Sequence, residues 1–149
     1  MRITIMGSGG VGGYFGGRLA QAGHEVSFVA RGAHLQALRK HGLRVLSPLG
    51  DLHLPQVRVF ENPSEIAGAD LVLFGVKLWD TVDAAQSLWT LLGEDTAVVS
   101  FQNGVVKDDL LRTALGARHV AGGVGYIASH IAEPGVIRHG GTMARLVFG

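Results

Sequence analysis

The stretch of this sequence with the clearest potential for chemistry is a cluster of glycines that follows a short apolar run. Residues 5–17 read IMGSGGVGGYFGG, and seven of these thirteen residues are glycine. Within the cluster, residues 7–12 match the pattern G-x-G-x-x-G, after a predicted strand at residues 1–6 and at the start of a predicted helix at residues 10–22. This context indicates a loop that binds the pyrophosphate of a dinucleotide, whereas isolated glycines would indicate only a flexible turn without a ligand.

Each glycine of the pattern has a physical reason to be there. We expect Gly7 to allow the tight turn out of the strand, Gly9 to let the pyrophosphate approach the backbone, and Gly12 to let the helix pack close to the sheet. The phosphates would then meet free N–H groups and the positive end of the helix dipole. The later glycines of the cluster extend the close packing of the helix. The predicted cofactor-binding loop consists of Gly7, Ser8, Gly9, Gly10, Val11 and Gly12.

The end of the second predicted strand, residues 25–30, indicates which dinucleotide binds. A site for NAD usually has an Asp or Glu there, which binds the ribose 2′-hydroxyl. This strand instead leads into Arg31, and its one acidic residue, Glu25, lies at the opposite end. Because a guanidinium forms bidentate pairs with phosphate, Arg31 predicts a 2′-phosphate and therefore NADP(H) as the cofactor. The alternative is an ordinary solvated surface arginine.

Two further polar side chains come directly after predicted strands. Lys77 follows the apolar strand at residues 70–76, and Asn103 lies in the Gln-Asn-Gly segment after the strand at residues 96–101. Open α/β sheets bind ligands at these strand ends. A lysine can orient a ribose hydroxyl or a ketone oxygen, and an asparagine can both donate and accept hydrogen bonds. From spacing alone, a surface lysine and an Asn-Gly turn are equally good interpretations.

The elements that must position these residues alternate between strand and helix. Further elements are predicted as helices at residues 33–41, 80–92 and near 105–115, and as a strand near residues 118–122. This alternation predicts an α/β fold of the Rossmann type, with a mostly parallel sheet and helices on both faces. Residues 43–60 differ and read as a hairpin or meander, and the tail has Pro134-Gly135 between two extended stretches.

Composition narrows the class of protein further. With 149 residues, 47% of them hydrophobic, the chain suits one domain with a substantial core. A formal net charge of +1 without a basic run argues against nucleic acid as a partner. There is no cysteine, and the seven histidines lack metal-ligand spacing, so we expect no metal.

No apolar run approaches the roughly 20 residues of a membrane span, and nothing resembles a signal peptide. We therefore expect no membrane partner and a cytoplasmic location.

Taken together, several segments resemble one enzyme family, ketopantoate reductase (2-dehydropantoate 2-reductase). The segments are residues 3–45, which contain the glycine cluster and end in "GLRV", and the stretches "GVKLWDT", "FQNGV" and "GGVGYIASHIAEPGVIRHGG". The resemblance covers essentially all 149 residues. The resemblance implies an oxidoreductase that reduces ketopantoate, a small keto acid, to pantoate with NADPH, on the route to pantothenate and coenzyme A.

The resemblance also implies roles for individual residues. The glycines of the G-x-G-x-x-G pattern match the pyrophosphate loop, and Arg31 matches an arginine on the adenosine 2′-phosphate. Lys77 matches a lysine near the nicotinamide ribose and the substrate. Asn103 matches an asparagine close to the nicotinamide and the substrate. Gln102 and Glu133 are further candidates of the same kind.

Members of this family continue into a helical C-terminal domain of comparable size, which carries the general-acid lysine and most polar contacts to the substrate. The resemblance therefore implies that residues 1–149 form the NADP-binding domain and that the catalytic domain is absent from this chain. We expect the chain alone to be nearly inactive, with no certain catalytic residue of its own. Two alternatives stay open, a stand-alone module that binds or senses NADP(H) and the same domain of a related 2-keto acid reductase.

The end of the chain leads to a prediction about self-association. Residues 123–149 have few charges and many apolar side chains, namely Tyr126, Ile127, Ile131, Val136, Leu146, Val147 and Phe148. Exposed apolar area and an uncovered strand edge both favour association. We therefore predict a homo-oligomer through residues 123–149.

Overall fold

The computed structural model describes residues 1–149. In chain order the elements are β1 (Arg2–Met6), α1 (Gly10–Gln21), β2 (Glu25–Val29), α2 (Gly32–His41), β3 (Leu43–Leu46), β4 (Leu52–Leu54), β5 (Arg58–Phe60), β6 (Ala69–Phe74), α3 (Thr81–Ser87), β7 (Leu92–Ser100), α4 (Lys107–Leu115), β8 (Val120–Ala121), β9 (Gly123–Glu133) and β10 (Val136–Phe148). Short 3-10 turns occupy Pro63–Glu65, Leu78–Asp80 and Ala117–His119.

Six strands form a parallel sheet in the order β5-β2-β1-β6-β7-β8. Strand β1 is buried from Ile3 to Met6 because both of its faces are covered. Ile3 and Ile5 pack with α1 and α2 on one side, and Met6 packs with α3 and α4 on the other. The Rossmann-type α/β fold with helices on both faces is therefore confirmed.

A second sheet, which the sequence did not predict, has the order β4-β3-β10-β9. Strands β9 and β10 form a long hairpin around Pro134-Gly135, and β10 joins β3 in parallel, with Ile137 opposite Val45. The hairpin or meander predicted over residues 43–60 is only partly correct. Strands β3 and β4 do form a hairpin, but β5 leaves it and pairs with β2 in the parallel sheet.

Helix α1 lies between the two sheets, and glycines bring it close to the first one. A Cβ at Gly12 would overlap the carbonyl oxygen of Gly7 and lie 2.8 Å from Ile5 Cγ2. One turn later, a Cβ at Gly16 would lie 2.6 Å from Phe28 Cε1. Both positions therefore exclude any side chain, as predicted for close packing of the helix on the sheet.

Other glycines of α1 bring it equally close to the second sheet. A Cβ at Gly10 would overlap the backbone of Ser129 in β9, and a Cβ at Gly13 would lie 2.7 Å from Ile137 Cγ1 in β10. Gly17 faces leucine side chains of β3 and β4 at 3.1 Å. The glycine cluster thus lets α1 pack closely on both sheets at once. This explains why the glycines continue beyond the G-x-G-x-x-G pattern.

Two predicted elements have different bounds in the structure. The helix predicted over residues 80–92 ends at Ser87, because residues 88–91 turn back toward the sheet. Strand β7 then starts at Leu92, earlier than predicted, and Leu92 pairs with Ala69 of β6.

No helix of the structure has both the length and the hydropathy to cross a bilayer.

The terminal hairpin presents part of its apolar surface to solvent. Phe148 is 69% exposed, and Tyr126, Ile131 and Val147 are also exposed. Val136, in contrast, is buried against the core, so its expected exposure is wrong. Strand β9 is the outer strand of the second sheet. Association through residues 123–149 stays a prediction.

Candidate functional site

A cleft of about 530 Å³ opens at the carboxyl ends of β1, β2 and β6. Four loops line it: Gly7–Gly9 after β1, Ala30–Arg31 after β2, Glu61–Pro63 after β5, and Gly75–Lys77 after β6. In the sheet, β2 and β5 lie on one side of β1, and β6, β7 and β8 lie on the other. The direction in which the chain adds strands therefore reverses at β1. Open α/β sheets bind their ligands at this kind of point.

The glycine loop offers hydrogen-bond donors beside open space. Gly7 has φ +98°, a conformation that favours glycine, and a Cβ there would lie 2.9 Å from the backbone of Gly75. A Cβ at Gly9 would meet nothing within 4 Å. The N–H groups of Gly10, Val11 and Gly12 donate to no other atom of the chain. These N–H groups at the start of a 12-residue helix form a site suited to a phosphate anion.

Ser8, in contrast, has all of its hydrogen-bonding groups engaged within the protein. Its N–H and its Oγ both donate to the carbonyl oxygen of Val29, at 3.1 and 2.9 Å. Its own carbonyl oxygen accepts a hydrogen bond of 2.7 Å from His34 Nε2. Ser8 therefore fixes the shape of the loop, and its side chain faces the protein.

His34 connects this loop to the terminal hairpin, a role that no pattern in the sequence indicated. Its Nδ1 accepts a hydrogen bond of 2.9 Å from the N–H of Gly135, while its Nε2–H donates to Ser8. These two bonds require the neutral imidazole with the proton on Nε2. Burial lowers the pKa of His34 below its ordinary value of 6.5, and the hydrogen bond to the Ser8 carbonyl opposes this.

We expect the stability of the fold to decrease on acidification because of His34. A folded-state pKa below the unfolded value favours the neutral form, so the contribution of His34 is complete above about pH 6.5. It is lost as the pH falls through the lower, folded-state pKa. Urea unfolding of the unmodified chain and of His34→Gln, at pH 7.5 and pH 5.5, measures this. The variant should lose less stability between the two values, and equal losses would contradict the prediction.

Arg31 precedes α2 and extends into the cleft. Its side chain is 81% exposed, and its Nη2 lies 3.2 Å from Asp80 Oδ2, at the end of the turn that follows Lys77. Glu61 and Asp83 also line the cleft. The structure thus brings Arg31 and Lys77 to one cleft with the glycine loop, as the sequence predicted. The acidic residues beside Arg31 in this cleft were not predicted from the sequence.

Lys77 and Asn103 are both exposed, on neighbouring loops that Gln102 holds together. Gln102 Nε2 donates to the carbonyl oxygen of Val76 and to Thr81 Oγ1, both at 2.8 Å, and its Oε1 accepts from Ser100 Oγ at 3.0 Å. Lys77 lines the cleft, while Asn103 and Glu133 lie outside its lining. Gln102 is buried, so its side chain is not available to a ligand. Its hydrogen bonds instead hold in place the loops that carry Lys77 and Asn103.

A second buried polar residue fixes the end of β7. Lys107 is 5% exposed, and its ammonium group donates to the carbonyl oxygens of Ser100 and Gly123 and to Asp108, at 2.9 to 3.0 Å. All three of its N–H groups are engaged. Lys107 therefore stabilises the junction of β7 and β9 next to the Asn103 loop, and it is not available to a ligand.

We expect the change Gln102→Leu to lower the free energy of unfolding by about 2 kcal/mol. The change removes all three hydrogen bonds of the buried amide and leaves the Val76 carbonyl without this donor, which typically costs about 1–3 kcal/mol. The matched change Asn103→Ala, at the next and exposed position, should stay within about 0.5 kcal/mol. Urea denaturation measures both values. Equal effects of the two changes would show that Gln102 does not hold the two loops together.

A larger cavity, of about 790 Å³, lies on the second sheet, away from the strand ends. His139, 2% exposed, contacts Ser47 Oγ at 2.8 Å through Nδ1 and the carbonyl oxygen of Met143 at 2.8 Å through Nε2. Ser47 Oγ also accepts from the N–H of Leu49. These groups satisfy one another within the protein, so we assign the candidate site to the smaller cleft with its free N–H donors.

The parallel sheet, the G-x-G-x-x-G loop at a helix start and the cleft at the strand reversal define a domain of the Rossmann type, the class of fold in which dinucleotides bind at such a cleft. A family model described as "Ketopantoate reductase PanE/ApbA" matches residues 3–149. The chain belongs to this family of oxidoreductases, which use a nicotinamide cofactor.

Individual relatives agree with this assignment. A 2-dehydropantoate 2-reductase of Mesorhizobium japonicum is 36% identical over 93% of this chain and 49% of its own length. The crystal structure of a PanE/ApbA family ketopantoate reductase from Ralstonia eutropha is 45% identical, with a TM-score of 0.88 over 95% of this chain and 47% of its own. A 2-dehydropantoate 2-reductase from Geobacter metallireducens has a TM-score of 0.93 at 36% identity, over 100% and 49%. The chain therefore spans about half the length of the curated relatives that it matches.

Proposed function

We propose that this chain is the NADP(H)-binding domain of an enzyme that reduces 2-dehydropantoate to pantoate in pantothenate biosynthesis. The observation that carries the proposal is the set of free N–H groups of Gly10, Val11 and Gly12 in front of the open position at Gly9. Arg31 lines the same cleft as the glycine loop that precedes these N–H groups.

The cofactor would lie across the carboxyl ends of the strands. The pyrophosphate would accept hydrogen bonds from the glycine loop, where the positive end of the α1 dipole adds attraction. Arg31 would pair with the adenosine 2′-phosphate, since a guanidinium matches phosphate geometry. A phosphate there distinguishes NADP(H) from NAD(H), so Arg31 supports NADP(H) as the cofactor.

The loops of Lys77 and Asn103 would hold the nicotinamide end of the cofactor, which would supply a hydride for the ketone carbon of the substrate when bound. The Lys77 ammonium would hold a ribose hydroxyl or the ketone oxygen, and the Asn103 amide would orient the nicotinamide or the substrate. We assign the general acid that protonates the developing alkoxide to the part of the family's chain that this sequence does not contain.

Calorimetric titration and an activity assay test this proposal. The chain should bind NADPH, whereas oxidation of NADPH with 2-dehydropantoate should stay near background. A missing general acid typically costs about 10²–10⁴ in rate, and missing substrate contacts lower the rate further. The same assay with the complete gene product provides the control. A turnover number of the isolated chain near an ordinary enzyme's ~10 s⁻¹ would place the acid within residues 1–149 instead.

A further inference from the structure

We propose that Asp80 is a specificity-determining residue, the counter-ion that Arg31 gives up when a nucleotide 2′-phosphate enters the cleft. This inference rests on the proposed function, because it concerns the same cofactor cleft. By competing for Arg31 and by repelling the phosphate, Asp80 would limit the preference of the site for phosphorylated over non-phosphorylated dinucleotides.

The geometry of the pair carries the inference. Arg31 follows β2 and Asp80 follows β6, so the pair spans two of the loops that line the cleft. Arg31 Nη2 and Asp80 Oδ2 are 3.2 Å apart, and the Arg31 side chain makes no other hydrogen bond in the structure. A single contact between an exposed arginine and an aspartate whose side chain is still 31% exposed is weak. A phosphate that binds the guanidinium through two oxygens can therefore displace it.

The Asp80 carboxylate makes no hydrogen bond or ion pair other than the one with Arg31. Asp80 precedes α3, yet its side chain makes no capping hydrogen bond, while its backbone N–H bonds to the carbonyl of Lys77 irrespective of the side chain. The other acidic residues of the cleft lining, Glu61 and Asp83, make no ion pair with Arg31. The carboxylate of Asp80 is thus the charge that a 2′-phosphate on Arg31 would meet at close range.

The test compares the affinities of Asp80→Asn and of the unmodified chain for NADP and NAD at low salt. This change keeps the shape of the side chain and removes its charge. We expect NADP to bind about threefold to tenfold more tightly to the variant, and the affinity for NAD to change less than twofold. In an Arg31→Ala background most of the gain should disappear, since there is no guanidinium left to release. Only the part that comes from direct repulsion of the phosphate, at most about twofold, should remain.

Asp83→Asn serves as the matched control, because it removes the same charge from the same cleft without touching Arg31. Its gain for NADP should be smaller, at most about twofold. Equal NADP affinities of Asp80→Asn and the unmodified chain, or weaker binding by the variant, would overturn the role of Asp80 while leaving the proposed function intact. If the unmodified chain bound neither NADP nor NAD, the proposed function itself would fail.

Discussion

Replacing Gly9 by valine is expected to abolish nucleotide binding and to leave the fold intact. Gly9 has φ −76° and ψ −153°, a nearly extended conformation with the negative φ of ordinary L-residues, and a Cβ there meets nothing within 4 Å. The branched side chain would fill the space in front of the N–H groups of Gly10, Val11 and Gly12. We expect a loss of affinity for NADP of about 100-fold or more, which corresponds to ~2.7 kcal/mol. Calorimetric titration measures the loss, and circular dichroism reports on the fold.

Gly12→Ala provides the contrasting variant for this experiment. Its Cβ would overlap the carbonyl oxygen of Gly7, so we expect the cost to fall on stability, at about 1–3 kcal/mol. The two glycines of one pattern would then separate into a ligand position and a packing position. A folded Gly9→Val variant with unchanged affinity for NADP would show that the loop does not bind phosphate.

Replacing Arg31 by alanine is expected to remove most of the selectivity for NADP over NAD. A hydrogen-bonded pair between a guanidinium and a phosphate contributes about 1.5–3 kcal/mol, or roughly 10- to 100-fold in affinity. The side chain is 81% exposed, so its removal should leave stability almost unchanged. Competitive titrations of the unmodified chain and of the variant with both nucleotides measure the ratio of affinities.

The matched control for Arg31 is Arg39, which is exposed in the last turn of α2, the helix that Arg31 precedes, and lies outside the cleft lining. Arg39→Ala removes one positive charge from the protein without removing the phosphate partner, so the selectivity should be retained. If the unmodified chain bound NADP and NAD equally well, the assignment of Arg31 to the 2′-phosphate would be wrong.

The sequence by itself determined the alternation of strands and helices that builds a parallel sheet, apart from β5, and the location of the candidate site. Apolar runs bounded by turn residues define β1, β2, β6 and β7, and helical spacing defines the helices between them. These signals are local, because each needs only a few neighbouring residues. The carboxyl ends of parallel strands meet at one edge of the sheet. For that reason the positions of Gly7, Arg31 and Lys77 in one cleft could be predicted without any tertiary information.

Only the tertiary structure decided which distant segments meet. The second sheet pairs Val45 with Ile137, and nothing in either extended stretch specifies the other as its partner. The close approach of Gly10 to Ser129 follows from that pairing, because α1 lies between the two sheets. The sequence therefore predicted that the glycines allow close packing, but not that they do so on two sides.

The polar contacts around the cleft depend on the fold in the same way. His34 and Gly135 are 101 positions apart, and Arg31 and Asp80 are 49 apart. Gln102 and Val76 are 26 positions apart. Periodicity and turn residues determine where each element begins and ends, since they act over one or two turns of chain. A hydrogen bond or ion pair between two loops depends on side-chain positions to within an ångström, and only the packed arrangement of all the elements determines these.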